Sequence, residues 1–190
     1  MQITALMSLL LAMFFFQQER RVDILVQELS NQETTKTAAA QIIETSRSEP
    51  ELKDALNIKL PRMLTEAKNA DVLWSEANVA GNLKILTALP ALVKLLDQPN
   101  LVFEVHTMTR EAELHDDPIG RAIYEIGEPA VSALWEPLES KNSATRVRAI
   151  RILLLINTQR SHELLETHLP KENDADLRRY LIANGIGTSK

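Results

Sequence analysis

The chain contains no cysteine among its 190 residues, and this absence excludes several kinds of chemistry at once. Disulfide scaffolds, thiolate nucleophiles, zinc–thiolate sites and iron–sulfur clusters all require cysteine. Glycine and aromatic residues are also scarce, with five glycines and 4% aromatic side chains. Strands favour aromatic and β-branched residues, whereas the alanine, leucine, glutamate and lysine that are plentiful here favour helices. The composition therefore predicts an all-α protein.

A strong excess of positive charge is missing as well. The formal net charge is −5 at pH 7, with histidine counted as neutral. Nucleic-acid binding depends on the neutralisation of phosphates by lysine and arginine, so this acidic balance argues against a nucleic-acid partner. Hydrophobic residues make up 45% of the chain, which is enough to bury a sizeable core and too much for a disordered protein.

Motifs of catalysis and metal binding are absent from the sequence too. We find no glycine-rich phosphate loop, no nucleophile elbow and no HExxH pattern, and we therefore predict no catalytic residue, no cofactor and no metal site. The acidic stretch 111–117 around His115 is interpreted as a solvated loop, because adjacent residues do not project together from a helix. His162 and Glu166 share a helical face and are interpreted as a surface pair, since zinc would need a further ligand. An active site assembled from distant parts of the chain stays open.

What the sequence does contain is a sharp helix-to-helix junction at residues 122–134, AIYEIGEPAVSAL. Gly127 can adopt the left-handed conformation that ends a helix, and Pro129 suits the first turn of the helix that follows. This segment resembles the seam between two HEAT repeats of the short, phycobilin-lyase-like variety. The resemblance implies an α-solenoid of about four to five HEAT-like helix pairs, a shape that holds other molecules.

Periodic signals extend this interpretation along the chain. The pattern Pro-Ala-apolar-x-x-Leu begins at Pro90 and again at Pro129, a separation of about 40 residues, which is close to one HEAT unit. From such signals we predict five helix pairs: 20–30 with 32–46, 50–67 with 71–89, 90–96 with 118–126, 129–139 with 143–157, and 161–168 with 174–183. Pro61 is expected to kink or divide its helix. Helix ends are expected to be capped by Asp117, by Asn142 or Ser143, and by Asn184-Gly185.

Segment 147–156, VRAIRILLLI, is apolar around nearly its whole circumference. A helix of this kind has to be covered on all sides, which favours a stacked array independently of the family resemblance. Residues 100–117 do not fit a minimal repeat. Their LVFEVHTMT portion alternates like a strand, so we expect either a short extended insertion or an irregular helix there.

The apolar run at residues 3–16, ITALMSLLLAMFFF, is shorter than the roughly 20 residues that span a bilayer. Its length matches the h-region of a secretory signal peptide, although no Lys or Arg precedes it. We therefore predict a signal peptide or hydrophobic anchor over residues 1–18, a folded domain over 19–190, and a secreted or periplasmic location. The alternatives are association with a membrane through residues 3–16 and a buried first helix in a cytoplasmic protein.

Basic residues cluster towards the C-terminal end of the sequence, with no acidic residue among them: Lys141, Arg146, Arg148, Arg151 and Arg160. Such a local patch in an acidic protein favours an anionic partner, whereas the alternative is internal pairing together with solvation. The HEAT resemblance implies internal pairing, because many HEAT repeats carry an acidic residue or Asn six positions before a basic one and form a ladder between repeats. Asn142 with Arg148 and Glu172 with Arg178 have this spacing.

Two tryptophans, Trp74 and Trp135, lie beside leucine on apolar helical faces. We expect both to pack in the core, with a recognition platform as the alternative. The candidate partner-binding residues are accordingly Lys141, Arg146, Arg151 and Trp135.

Taken with the resemblance, these features predict a non-catalytic scaffold that binds a protein partner through its concave face or its ridge loops, in the cell envelope. A fold does not by itself set a function, so the identity of the partner is open. The alternative is a lyase-like HEAT enzyme or an enzyme-associated factor, because the resemblance extends to proteins that act on bilin chromophores. HEAT-fold DNA glycosylases are a further precedent, which the acidic balance disfavours.

Overall fold

A computed structural model describes residues 20–98, Leu114 and 117–187 of the chain. Every regular element within these residues is an α-helix or a 3-10 helix, which confirms the all-α prediction. No helix in the same residues is long and apolar enough to cross a lipid bilayer. The predicted signal peptide or anchor over 1–18, most of segment 100–117 and the loop residue His115 lie outside the described residues.

The elements follow one another along the chain with short connections. Helix α1 covers residues 20–29, α2 Thr35–Thr45, α3 Pro50–Glu66 and α4 Ala70–Asn82, and a 3-10 turn at Leu86–Ala88 leads into α5 at Leu89–Leu95. Beyond residue 117, α6 is Pro118–Ile126, a 3-10 helix covers Glu128–Leu134, α7 is Trp135–Leu138 and α8 is Ser143–Ile156. Helix α9 is Gln159–His168, a 3-10 turn covers Leu169–Lys171, and α10 is Ala175–Ala183.

Three of the predicted helix ends are confirmed by their hydrogen bonds or backbone angles. The Asp117 side chain accepts a hydrogen bond from the Gly120 amide at 2.8 Å and so caps α6. The Asn142 side chain accepts from the amide two residues further on at 3.1 Å and caps α8. Asn184 caps the C-terminus of α10, and Gly185 follows it with a φ of 88°.

Pro61 does not divide its helix, so that part of the prediction is wrong. Helix α3 continues through Pro61 from Pro50–Glu66, although proline lacks the amide that would donate within the helix. Leu60 and Leu64, on either side of it, are fully or almost fully buried. Burial of this apolar face stabilises the helix by several kcal/mol, on the order of 2 per leucine, which offsets much of the penalty for an internal proline.

Helix α4 ends before the predicted boundary at residue 89, because a backbone motif closes its last turn. Lys84 has a left-handed φ of 51°. Its amide donates to the Gly81 carbonyl at 3.0 Å, and the Ile85 amide donates to the Ala80 carbonyl at 2.9 Å. These two bonds form the Schellman arrangement, and the buried Ile85 side chain supplies the apolar contact that accompanies it. Lysine occupies the position where glycine is usual, so the sequence carries no visible stop signal here.

The junction after α6 forms where the sequence predicts it, with different local geometry. Gly127 has a φ of 82° and a ψ of −143°, a region open essentially to glycine alone and distinct from the left-handed helical one. Pro129 does lie in the first turn of the next element. That element is a 3-10 helix followed by the one-turn α7, so the predicted continuous helix over 129–139 is wrong. Pro137 contributes to this change of helix type. A continuous α-helix would need an amide at position 137 to donate to the carbonyl four residues earlier, and proline has none.

Helix α8 is the apolar helix that the sequence singles out, and it is covered from several directions. Ile150, Ile152 and Leu153 are completely buried, and Leu154 is 5% exposed. The helix contacts α6, α7, α9 and the 3-10 helix Glu128–Leu134. Neighbouring helices cover most of this segment as expected, whereas Val147, Leu155 and Ile156 are only half-buried.

The helices contact one another in two rows. In the first row α2 packs on α4, α4 on α6, and α6 on α8. In the second row α3 packs on α5, α5 on the 3-10 helix Glu128–Leu134, and that helix on α9. Contacts between the rows join α3 to α4, α5 to α6, and α8 to α9. The inner helices α4, α5, α6 and α8 therefore have neighbours both within their row and across to the other.

The contact between α4 and α6 depends on a residue without a side chain. A Cβ added to Gly81 would lie 2.5 Å from a carboxylate oxygen of Glu125 and 2.8 Å from the Cα of Ala122. The second distance is to the backbone, which cannot move aside without separating the two helices. Glycine at this position therefore allows α4 and α6 to approach each other closely.

A buried ion pair joins α8 to the start of α6 and the end of α5. Arg148 donates two hydrogen bonds to the Asp117 carboxylate, at 2.6 and 2.8 Å, and a third to the Leu96 carbonyl. The side chains of Arg148 and Asp117 are 7% and 5% exposed. Arg148 thus pairs internally, as the HEAT resemblance implies, but its partner is Asp117. Asn142, six residues before it, bonds to Asp97 instead.

Candidate partner-binding groove

An open groove of about 1130 Å³ lies between α5 and the segment that contains α7. We call it the Trp135 groove. Its apolar lining consists of Leu89, Pro90, Val93, Ala133, Trp135 and Pro137. Its exposed charged side chains are Lys94, Asp97, Glu136 and Glu139. The groove thus combines an apolar surface with a charged edge, the composition that is typical of surfaces that bind other proteins.

Trp135 stands at the point where the 3-10 helix passes into α7. Its side chain is half-buried and not part of the core, so the core assignment from the sequence is wrong for this residue. The ammonium nitrogen of Lys171 lies 4.3 Å from the centre of the ring, within the range of a cation–π interaction. The same nitrogen is 3.4 Å from a Glu139 carboxylate oxygen. Lys171 therefore holds one face of the indole while the rest of the ring lines the groove.

Asp97 fixes one end of the groove to α8. Its Oδ1 accepts a hydrogen bond from the Thr145 hydroxyl at 2.6 Å and one from the Asn142 side-chain amide at 3.4 Å. Thr145 is buried, so this contact ties the end of the α5 segment to the first turn of α8. The groove wall is consequently set by packing and hydrogen bonds that are already in place.

A second cleft of about 390 Å³ adjoins the Trp135 groove and shares Glu139 and Ser140 with it. Arg146 lines this cleft and donates two hydrogen bonds to Glu172, at 2.9 and 3.0 Å. A further hydrogen bond at 2.9 Å joins Arg146 to the Ser140 carbonyl. Arg146 is 14% exposed and Glu172 is not exposed at all, so this pair is largely withdrawn from solvent.

His168 completes the network beneath this cleft. Its Nε2 lies 3.1 Å from Oε2 of Glu172, the oxygen that also accepts from Nε of Arg146. Its Nδ1 is buried with no hydrogen-bond partner among the described residues. The nearest carboxylate on that side is Glu139, at 3.7 Å. Burial alone would raise the pKa of Glu172. The hydrogen bonds from Arg146, from the Asp174 amide and from His168, together with the charge of Arg146, outweigh it and hold the pKa at about 2.

The chemistry open to this network follows from these contacts. A carboxylate beside an imidazole can orient it for proton transfer, but Glu172 is engaged by Arg146 and is therefore a weak base. The imidazole of His168 is 2% exposed. The arrangement joins α8, α9 and the loop before α10.

The structure brings two of the four candidate partner-binding residues to one cleft, the third to the adjoining groove and the fourth to neither. Trp135 lines the groove, and the exposed Lys141 lines the adjoining cleft together with Arg146, which is in its ion pair with Glu172. Arg151 is half-buried on α8 and is not among the residues that line either cleft. With Arg148 also paired internally, the basic residues of the sequence do not form one continuous exposed patch.

The other residues that the sequence analysis considers do not line the Trp135 groove. Trp74 is 37% exposed on α4 beside a different cleft, so its assignment to the core is wrong. The ring of His162 contacts the Asn157 side chain at 2.8 Å. Glu172 pairs with Arg146 and not with Arg178, which is exposed. Among the residues that the structure describes, no group of three or more histidine and carboxylate side chains is placed to hold a metal ion.

The sequence does not single out His168 or Glu76 as residues of interest. Both are buried and each has a polar atom without a hydrogen-bond partner. The burial of Glu76 could have been predicted from its spacing. It lies three residues after Leu73 and four before Ala80, on the buried face of α4. A carboxylate on such a face is the sequence feature that would have indicated it.

Comparisons of the chain with protein-family models, with curated proteins and with solved structures found no match.

Proposed function

We propose that this protein is a non-catalytic, HEAT-like helical-repeat scaffold that binds a protein partner in the Trp135 groove. The observation that carries the proposal is the groove itself, about 1130 Å³ of open space with an apolar lining and a charged edge. In protein interfaces a few residues supply most of the binding energy, and tryptophan is enriched among them.

The repeat architecture is supported by the two rows of helices. The row of α2, α4, α6 and α8 contains the second member of each of the first four proposed pairs, and the other row contains the first members from α3 onwards. In a stack of helix pairs each pair contacts its neighbours in sequence, which gives this pattern. The resemblance at residues 122–134 points the same way.

The charges of the groove favour a particular kind of partner. Three of the exposed charged residues at its edge are carboxylates, Asp97, Glu136 and Glu139, against the single amine of Lys94. We therefore expect a partner segment that presents apolar side chains to the groove and carries lysine or arginine beside them. Complementary charge of this kind mainly accelerates association and selects among partners.

The test is site-specific photocrosslinking in cells that express the full chain. A photoreactive amino acid replaces Val93, which is half-buried in the wall of the groove, and in a matched strain it replaces Arg160, which is exposed on α9 away from it. We expect a discrete crosslinked protein from position 93 and none from position 160. The same product should disappear when Trp135→Ala is combined with the probe at position 93.

Two outcomes would contradict the proposal. One is an absence of any crosslinked protein from position 93 while the chain is folded, as judged by its circular dichroism. The other is the same product from both positions, because a partner that contacts Arg160 equally is not selected by the groove.

A further inference from the structure

Glu76 lies on α4 in a position that is unusual for a carboxylate. Its side chain is only 1% exposed, within the buried face of the helix. One carboxylate oxygen accepts a hydrogen bond from the Ser30 hydroxyl, at the long distance of 3.4 Å. The other, Oε2, is buried and has no hydrogen-bond partner in the described structure. A buried acceptor of this kind is destabilising unless something else satisfies it.

Glu76 lines a surface cleft of about 330 Å³, and this cleft shares no lining residue with the Trp135 groove. The cleft, which we call the Glu76 cleft, lies where three elements meet. Its polar lining residues are Ser30, Gln32, Glu66, Lys68 and Asn69, and its apolar ones are Met63, Ala67 and Val72. The space is sufficient for a small organic ligand.

Helix ends and charged side chains both contribute to the electrostatics of the cleft. Met63, Glu66 and Ala67, at the C-terminal end of α3, form one wall, and Ser30, directly after α1, forms another. Asn69 and Val72, at the N-terminal end of α4, form a third. The C-terminal end of a helix carries partial negative charge from carbonyl groups that lack intrahelical partners. The charged side chains that line the cleft are the carboxylates of Glu66 and Glu76 and the amine of Lys68. Lys68 is exposed and makes no ion pair with Glu76 in the described structure.

We propose that the Glu76 cleft binds the primary ammonium group of a small organic amine. An ammonium group has three N–H donors and a full positive charge, which suits a buried carboxylate oxygen that has no hydrogen-bond partner in the described structure. The described residues around the cleft lack the three carboxylate or imidazole ligands that a metal ion would require. A neutral ligand would leave the carboxylate form of Glu76 uncompensated.

The ionisation of Glu76 makes this binding dependent on pH. Burial raises the pKa of Glu76 to about 7, and the hydrogen bond from Ser30 offsets only part of that effect. The carboxylate fraction of a group with a pKa of 7 increases from about a tenth at pH 6 to about nine-tenths at pH 8. The affinity for an ammonium group should therefore rise about tenfold over this range.

The experiment is a titration of the full chain with n-butylammonium chloride, followed by the backbone amide shifts of Ser30, Gln32, Asn69 and Val72. We expect saturable shifts at these residues, with a dissociation constant about tenfold lower at pH 8 than at pH 6. Tetramethylammonium at the same ionic strength should produce no such shifts, because it has no N–H donor. Glu76→Gln should weaken binding by about 10- to 100-fold, the usual effect of losing a hydrogen bond to a charged group.

A matched variant and a second measurement keep the test decisive. Asp54→Asn removes an exposed carboxylate on α3 and should leave binding unchanged. In the unmodified chain, saturating butylammonium should lower the pKa of Glu76, followed by the carbon shift of its carboxyl group, because a bound cation favours the carboxylate. Unsaturable shifts at pH 8, equal binding by Glu76→Gln, or an unchanged Glu76 pKa would each overturn the proposal.

Discussion

Removal of the Asp117 carboxylate should destabilise the fold more than any other single loss of a helix cap. In Asp117→Ala, Arg148 keeps its bond to the Leu96 carbonyl but loses both bonds to the carboxylate, and its charge stays buried at 7% exposure. Breaking a buried ion pair from one side destabilises by about 3–5 kcal/mol. The loss of the α6 cap adds about 1 kcal/mol. We expect a decrease of about 4 kcal/mol in the free energy of unfolding, since the two effects share one residue and are not fully additive.

The assay is urea-induced unfolding followed by circular dichroism at a helical wavelength, with two comparison variants. Asp174→Ala removes the cap of α10, where the Asp174 side chain accepts bonds from two amides and forms no ion pair with a buried arginine in the described structure. Its decrease should be about 1 kcal/mol. Asp117→Ala combined with Arg148→Met removes the stranded charge and should recover most of the loss, because apolar side chains of similar volume replace buried ion pairs well.

The reasoning would be refuted if Asp117→Ala destabilised the protein no more than Asp174→Ala does. Asp117 would then act as a cap alone, and Arg148 would have to be solvated in solution. A double variant less stable than Asp117→Ala would also contradict it, because methionine would then be a worse occupant of the site than an uncompensated arginine.

Two further predictions concern particular side chains. Leu154→Asp should lower the melting temperature strongly, because an unpaired carboxylate at a position that is 5% exposed destabilises the fold by several kcal/mol. Arg160→Ala, on the exposed surface, should change the stability by about 0.5 kcal/mol or less. Comparable melting temperatures for the two variants would contradict the burial of α8. Glu172, whose pKa falls from 4.5 in the unfolded chain to about 2, binds its proton more weakly when folded, so it contributes about 3 kcal/mol of stability that is present above pH 4.5 and lost as the pH falls through about 2. Urea unfolding of Glu172→Gln at pH 5 and pH 2.5 should show a weaker dependence on pH than the unmodified chain, and an equal dependence would exclude this role.

The sequence predicts a helix end correctly where a capping residue, a proline or a glycine marks that end. The bounds of α6 are correct because Asp117 precedes a proline that starts the helix and Gly127 follows its last turn. The end of α4 could not be predicted, since Lys84 adopts the left-handed conformation and is held there by the packing of Ile85. A tertiary contact decides that boundary, and no local pattern records it.

At the candidate site, too, features set by neighbouring residues in the chain could be predicted, and contacts between distant residues could not. The helix junction at Gly127 lies where the sequence predicts it. The basic residues do not form one patch, because Asp117 and Glu172, which pair with Arg148 and Arg146, are 31 and 26 residues away along the chain. Charge runs in a sequence describe only neighbours in the chain. Partners that approach from other helices become visible only when the helices are packed.

The central claim, that a protein partner occupies the Trp135 groove, is tested most directly by the fluorescence of the groove tryptophan. The chain has two tryptophans, so Trp74→Phe leaves Trp135 as the only emitter, and Trp135→Phe leaves Trp74 as the matched control. The measurement is the emission maximum of each variant as the protein captured by crosslinking at position 93 is added. We predict a saturable shift to shorter wavelength in the variant that retains Trp135, because the partner removes its half-exposed ring from water, and no shift in the variant that retains Trp74. Saturable binding with an unchanged Trp135 emission, or a shift confined to Trp74, would contradict the account.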